Sequence, residues 1–196
     1  MSSTGRGTTK ISQDAYFTPL KSFNPLLPYL PKGKEIWEPA CGDLRLVKRM
    51  NEYGLKSNGN DLSYGYDFLK DKTKRDVILT NPPFSIAKAF ITHALDLSEE
   101  VYMLVRLNFL GSQERREWWR KNPPNALFIL SERPNFVRSI KCQNKKHCGF
   151  KQLIPIELPK PKCCPNCNGK ITSGSSDSTE YCWMYWGSEH TGIYWL

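Results

Sequence analysis

The chain is short of several things, and each absence narrows its role. No stretch approaches the roughly 20 consecutive apolar residues of a membrane span, so no membrane association is expected. Met1–Lys10 is polar and has no apolar signal core, so a cytoplasmic location is expected rather than secretion. Neither a Walker loop nor Gly-x-Gly-x-x-Gly is present, which disfavours a pyrophosphate ligand. Acids are scarce too: 19 Asp and Glu face 28 Lys and Arg, leaving a formal charge of +9. A basic surplus of this kind favours a polyanionic partner, usually nucleic acid. Hydrophobic residues make up 39% and charged ones 24% of the 196 residues, which excludes wholesale disorder. That length suits one domain with a real core and a small appendage.

Cysteine is present in an informative pattern. Cys41 and Cys182 stand alone, whereas Cys142, Cys148, Cys163, Cys164 and Cys167 cluster. The count is odd and no secretory signal precedes it, so a disulfide framework fits poorly. Cys164-Pro-Asn-Cys167 is a C-x-x-C knuckle followed by Asn168-Gly169, a turn suited to wrapping thiolates around a metal. With Cys142 and Cys148 as the second pair, the pattern is that of a structural Cys₄ zinc site. The first pair is spaced more widely than usual, so His147 in place of Cys148, or Cys163 in place of Cys164, stays open. Free thiols and a redox C-x-x-C are the lesser alternatives.

The rest of the chain alternates strand and helix. Residues 1–13 read as a loose tail, and the proline-rich Asp14–Pro31 as turns and short helix. Expected strands are Glu35–Glu38, a weak one near Ser57–Asp61, Asp76–Thr80, Val101–Leu107, Ala126–Leu130 and Tyr181–Trp186. Expected helices are Leu44–Tyr53, Ile86–Leu97 and Gln113–Lys121. That alternation implies a mainly parallel sheet with helices on both faces. Residues 141–170 interrupt it and read as an insertion within a domain spanning 14–196. The insertion is rich in lysine, either to grip phosphates or merely as a solvated clasp. Arg115–Lys121 poses a similar choice between a DNA-facing basic helix and an amphipathic helix burying tryptophan.

Ligands of open α/β sheets bind at the carboxyl ends of the strands. Two unusual turns fall there. In Glu38-Pro-Ala-Cys-Gly-Asp43, Gly42 lets the backbone approach a ligand, and the acids suit an amine or ribose hydroxyls. In Asn81-Pro-Pro-Phe84, two prolines leave carbonyls free as acceptors, Asn81 adds a side-chain carbonyl and Phe84 a π-face. These groups suit a planar exocyclic amine on a stacked base.

Together these residues resemble the small phage-type, S-adenosylmethionine-dependent DNA N6-adenine methyltransferases. Glu38-Pro-Ala-Cys-Gly42 resembles that family's E-P-x-x-G cofactor motif, and Asn81-Pro-Pro-Phe84 its catalytic (D/N)-P-P-(Y/F/W) motif. Tyr16-Phe-Thr-Pro19 resembles an upstream element that closes over the methionine end of the cofactor. Asp177–Trp186 is similar to the aromatic ending of the phage enzymes. The resemblance covers about residues 14–140 and 177–187 and implies a Rossmann-like methyltransferase fold with a seven-stranded, mainly parallel sheet.

It also implies roles. Asn81, Pro82, Pro83 and Phe84 would be catalytic. Tyr16, Thr18, Pro19, Glu38, Pro39, Ala40, Cys41, Gly42 and Asn81 would line the cofactor, with Asp61 on its ribose and Asp67-Phe68 on its adenine. The expected partner is DNA, with RNA possible, and the cofactors are S-adenosylmethionine and structural zinc. The expected reaction is direct displacement, with no general base and no cysteine nucleophile. N4-cytosine and RNA adenine methylation are the alternatives within this chemistry. A non-catalytic zinc-dependent nucleic-acid-binding protein is the alternative of another class.

Overall fold

Backbone pairing sorts the strands into two sheets. The computed structural model describes residues 17–144, 148–156, 159–175 and 179–196. A single helical turn, α1 (Leu20–Phe23), and a 3-10 segment (Asn24–Tyr29) precede β1 (Glu35–Glu38). Next come α2 (Arg45–Glu52), β2 (Lys56–Gly59), β3 (Val77–Thr80), α3 (Ala87–Leu97), β4 (Val101–Arg106), α4 (Arg116–Lys121) and β5 (Ala126–Ile129). A separate group, β6 (Val137–Cys142), β7 (Lys151–Pro155) and β8 (Ile171–Ser175), interrupts the series before β9 (Tyr181–Trp186) and β10 (Gly192–Trp195).

The larger sheet has seven strands in the order β10-β5-β9-β4-β3-β1-β2. Only β9 runs antiparallel to its neighbours. Its centre is built from near-continuous apolar runs, as strands covered on both faces require. Every residue of Val77–Thr80 and of Tyr181–Trp186 is buried, and so is Val101–Val105. Helices cover the sheet with one apolar stripe each. α2 buries Leu46, Val47 and Met50, and α3 buries Ala87, Phe90, Ile91, Ala94 and Leu97. Gly54, at φ +86°, ends α2 in the left-handed conformation that glycine tolerates best. β1 leads to β2 on one side, and the chain then crosses to β3 on the other. β1 and β3 run parallel, so their carboxyl ends lie side by side while their connections diverge. That divergence is the switch point at which open sheets form a crevice.

The chain folds as two compact units. Residues 17–134 with 179–196 build the seven-stranded sheet, and residues 135–175 carry the antiparallel sheet β7-β6-β8. The smaller unit has its own core of Ile140, Cys142, Ile154, Cys164 and Ile171. The three strands of this unit and the edge strand β10 were not among the expected elements.

The helix at Arg116–Lys121 is anchored through its tryptophans. The Trp119 ring lies parallel to that of Trp186 at 6.4 Å, and Trp118 Nε1 donates to Thr92 Oγ1 at 3.0 Å. Both rings are half-buried in the sheet unit. Among the described residues, no helix is long and apolar enough to cross a membrane.

Candidate functional site

The turn after β1 is closed by backbone contacts with the segment after β2. Cys41 N–H donates to Asn60 O at 3.1 Å, and Asn60 N–H to Glu38 O at 3.0 Å. A Cβ on Gly59 would stand 2.7 Å from Glu38 O, so β2 approaches β1 more closely than a larger residue allows. Gly42 adopts φ +51°, and a Cβ there would stand 3.0 Å from the Phe17 ring. That ring therefore lies over the turn, and the Arg45 guanidinium stacks on it at 4.8 Å. Pro39 is buried and Ala40 half-buried.

Three carboxylates surround this turn in different states. Asp43 is held by Arg45 (2.7 Å). Burial opposes its charge, but the Arg45 guanidinium outweighs that and keeps its pKa below the usual range. Asp61 Oδ2 accepts from Gly42 N–H at 3.0 Å, and its Oδ1 accepts from Ser63 N–H and Oγ–H at 2.8 and 2.7 Å. A carboxylate has about four acceptor sites, so one remains open beyond these three bonds. Glu38 differs from both. It is 2% exposed, and its Oε2 has no hydrogen-bond partner. Burial raises its pKa well above the ordinary value, and Asp43 and Asp61 push in the same direction. An orphaned buried carboxyl oxygen is costly. It is the chemical complement of an ammonium group. Cys41 is likewise buried, and its thiol is pushed up to about 12, which leaves it inert as a nucleophile.

The second turn follows β3. Asn81, Pro83 and Phe84 are half-buried, and Pro82 is buried. The Phe84 ring sits 5.9 Å from Tyr181 and 4.9 Å beneath the Arg106 guanidinium. Arg106 Nε donates to Tyr181 Oη at 3.0 Å, and the two residues face one another in the β4–β9 register. A cation fixed over an aromatic ring is attracted to its face and holds the ring's orientation.

Other expected site residues are distributed differently. Thr18 is buried and Pro19 half-buried just before α1, whereas Tyr16 and Asp177 lie outside the described residues. Asp67 accepts from Leu69 N–H at 3.2 Å and pairs with Lys70 at 3.1 Å. Phe68 is 2% exposed and packs into the core 5.0 Å from both Phe90 and His93. Its ring is thus engaged by core side chains. Phe17, Arg106 and Tyr181 at the two turns were not anticipated. The signal for Arg106 was available, since it is the one charged residue closing an otherwise apolar strand.

In the smaller unit, the thiol sulfurs of Cys142, Cys148, Cys164 and Cys167 lie within 4.8 Å of one another. Cys142 and Cys167 are 3.5 Å apart, as are Cys148 and Cys164. Asn168 turns the chain at φ +58°, and a Cβ on Gly169 would meet Cys167 Sγ at 3.3 Å. Cys163 points elsewhere and donates to Asn168 Oδ1 at 3.0 Å. His147 lies outside the described residues.

No family model and no curated protein sequence matches the chain. Solved structures do. One is the modification subunit of a candidate type I restriction enzyme from Vibrio vulnificus. It is 14% identical with a TM-score of 0.54, and the match covers 93% of this chain and 47% of that one. Another is the 23S rRNA methyltransferase ErmE, 10% identical with a TM-score of 0.51, covering 90% and 71%. The chain has the Rossmann-like methyltransferase fold. It spans about half the length of the restriction-enzyme subunit. Within this methyltransferase fold, the two turns occupy adjacent strand ends at the switch point.

Glu38→Gln removes the buried charge at nearly constant volume. A raised folded pKa means that the wild type loses stability as pH climbs past the unfolded carboxyl value of about 4.3. Thermal melts from pH 4 to pH 8 should show the wild type falling progressively behind Glu38→Gln. A difference that stays constant over that range would show that Glu38 does not titrate as described.

Proposed function

We propose that the chain transfers a methyl group from S-adenosylmethionine to the exocyclic N6 amine of adenine in DNA. One observation carries this reading: Glu38–Gly42 and Asn81–Phe84 follow paired parallel strands, so the proposed donor-binding and amine-binding turns lie at neighbouring strand ends. The residues at the first turn fit the cofactor. The unpartnered Glu38 oxygen suits its ammonium group, Gly42 permits close backbone approach, and Asp61 retains an acceptor for a ribose hydroxyl. The buried Phe68 leaves Asp67 as the part of that pair open to the adenine amine.

S-adenosylmethionine supplies a methyl group already activated on a sulfonium, so little chemistry is left to the protein beyond positioning and electrostatics. The Asn81 side-chain carbonyl and the Pro82 carbonyl accept the two N–H bonds of the target amine. In doing so they orient its lone pair and offset the positive charge that develops on nitrogen. Phe84 stacks the flipped base, and Arg106, held by Tyr181, steadies the Phe84 ring. The net charge of +9 favours nucleic acid as the substrate. Of the two similar structures named above, one is an rRNA methyltransferase and the other the modification subunit of a restriction enzyme, which also supports nucleic-acid methylation.

We also propose that the four-cysteine cluster holds a structural zinc ion. Tetrahedral coordination at a Zn–S distance of about 2.3 Å separates sulfurs by about 3.8 Å. The observed spacing of 3.5 Å within each pair, with all four inside 4.8 Å, matches that figure. A disulfide would bring two sulfurs to about 2.05 Å.

Asn81→Ala should lower methyl transfer to DNA by at least about 100-fold while S-adenosylmethionine binding, read by calorimetry, stays largely intact. A near-wild-type rate, or loss of the circular dichroism of the folded state, would make Asn81 a structural residue instead. Elemental analysis of the purified protein should give about one zinc per chain. Chelation should then open residues 135–175 to protease. A metal-free preparation with the same protease resistance would contradict the zinc assignment.

A further inference from the structure

The positive charge is unevenly divided between the two units. Residues 135–177 contain eight lysines and arginines but only two acids. Every ion pair among the described residues lies in the sheet unit, for example Lys21–Glu132, Lys34–Glu100, Lys56–Glu35 and Arg133–Glu180. The described lysines of the smaller unit, Lys141, Lys151, Lys160, Lys162 and Lys170, are all exposed. None of their ammonium groups has a partner among the described residues.

The register of the small sheet concentrates part of this charge on one face. Residues directly opposite in an antiparallel pair project to the same side. Ile140 and Cys142 of β6, with Ile171 of β8 opposite Cys142, therefore face the core of this unit. Lys141 falls on the other face, directly opposite Lys151 of β7 and Thr172 of β8. Like charges placed directly opposite destabilise a strand pair. Among the described residues, no acid on the three strands offsets them. Four thiolates around one divalent ion would carry a net charge of −2, but Cys142 contributes to that group from the opposite face. An anion bridging the two ammonium groups removes the repulsion, and repeated phosphates supply such anions at regular spacing.

We propose that the face of β6 and β7 bearing Lys141 and Lys151 grips the phosphate backbone of duplex DNA. The choice of DNA as the polyanion rests on the enzymatic reading above, whereas the cationic face does not. The phosphate-binding work is thereby assigned to the small cysteine-bearing unit. The sheet unit, whose cations are largely matched by acids, contributes little to it.

The test is fluorescence anisotropy of a labelled duplex with the full-length zinc-loaded protein, titrated at several salt concentrations. Lys141→Ala/Lys151→Ala should reduce the slope of log affinity against log salt by about 2 and weaken binding roughly tenfold or more near 0.1 M salt. Lys21→Ala/Lys56→Ala, which removes two cations from the sheet unit, should leave the slope unchanged. Without DNA, the first double variant should melt no lower than the wild type, because it loses a like-charge pair. An unchanged slope in Lys141→Ala/Lys151→Ala, or an equal drop in the control variant, would overturn the assignment. Tighter binding to a single-stranded RNA of the same length would overturn DNA as the ligand. A reduced slope in a protein that transfers no methyl group would support the grip and overturn only the enzymatic reading.

Discussion

Two pairs of residues, Ile36 with Val77 and Trp37 with Ile78, hold β1 against β3 in parallel. Much of the candidate site depends on that short register. Ile36, Val77, Ile78 and Leu79 are fully buried, so the register is enforced by packing on both faces. A slip of one residue would turn each β3 side chain to the other face and move the Asn81 turn by about 3.3 Å along the strand. The prolines at 82 and 83 then end β3 abruptly, because neither offers an N–H for further pairing. The site is thus the consequence of two strands that stop side by side and of chain segments that leave in opposite directions.

The electrostatics of the first turn follow from the same packing. Asp43 and Asp61 are satisfied by Arg45, by the Gly42 N–H and by Ser63. Glu38 sits deeper, at the last position of β1, where its strand neighbours exclude water. Its charge is disfavoured there, so binding of a cation at this turn would be linked to ionisation of Glu38. A similar contrast distinguishes the aromatic residues. Phe84 presents a half-buried ring backed by a cation, whereas Phe68 is consumed by the core.

Much of this was legible in the sequence. The runs at Asp76–Thr80, Val101–Leu107 and Tyr181–Trp186 are apolar enough to mark buried strands, and the two turns follow such strands directly. The weak β2 was legible only from its context, since its exposed edge carries Lys56 and Asn58 rather than an apolar stripe. β10 carries little strand signal because three of its four residues are exposed and it begins with glycine. The strands of the small unit were masked by cysteine, proline and lysine, whose order reflects thiol placement more than pleat alternation. Phe68 shows a different limit. An aromatic next to an acid reads the same whether its ring meets a ligand or Phe90, and only the fold distinguishes them. Arg106 and Tyr181 are 75 residues apart in sequence, so their contact with one another comes only from the pairing of β4 with β9.

The two units divide the physical tasks of the proposed reaction. The sheet unit holds the donor and amine turns within a largely neutralised surface. The small unit, in which four cysteine thiols cluster, displays lysines without partners among the described residues. The central claim concerns the first of these, that the paired turns form a methyl-transfer site for an exocyclic amine. Its most direct test is incubation of the protein with S-adenosylmethionine labelled on the methyl group and with DNA, RNA or protein in parallel, followed by digestion of the product to nucleosides or amino acids. The account predicts label in DNA, recovered as N6-methyladenine. Label recovered only in protein, or no transfer by a folded protein that binds the cofactor, would contradict it.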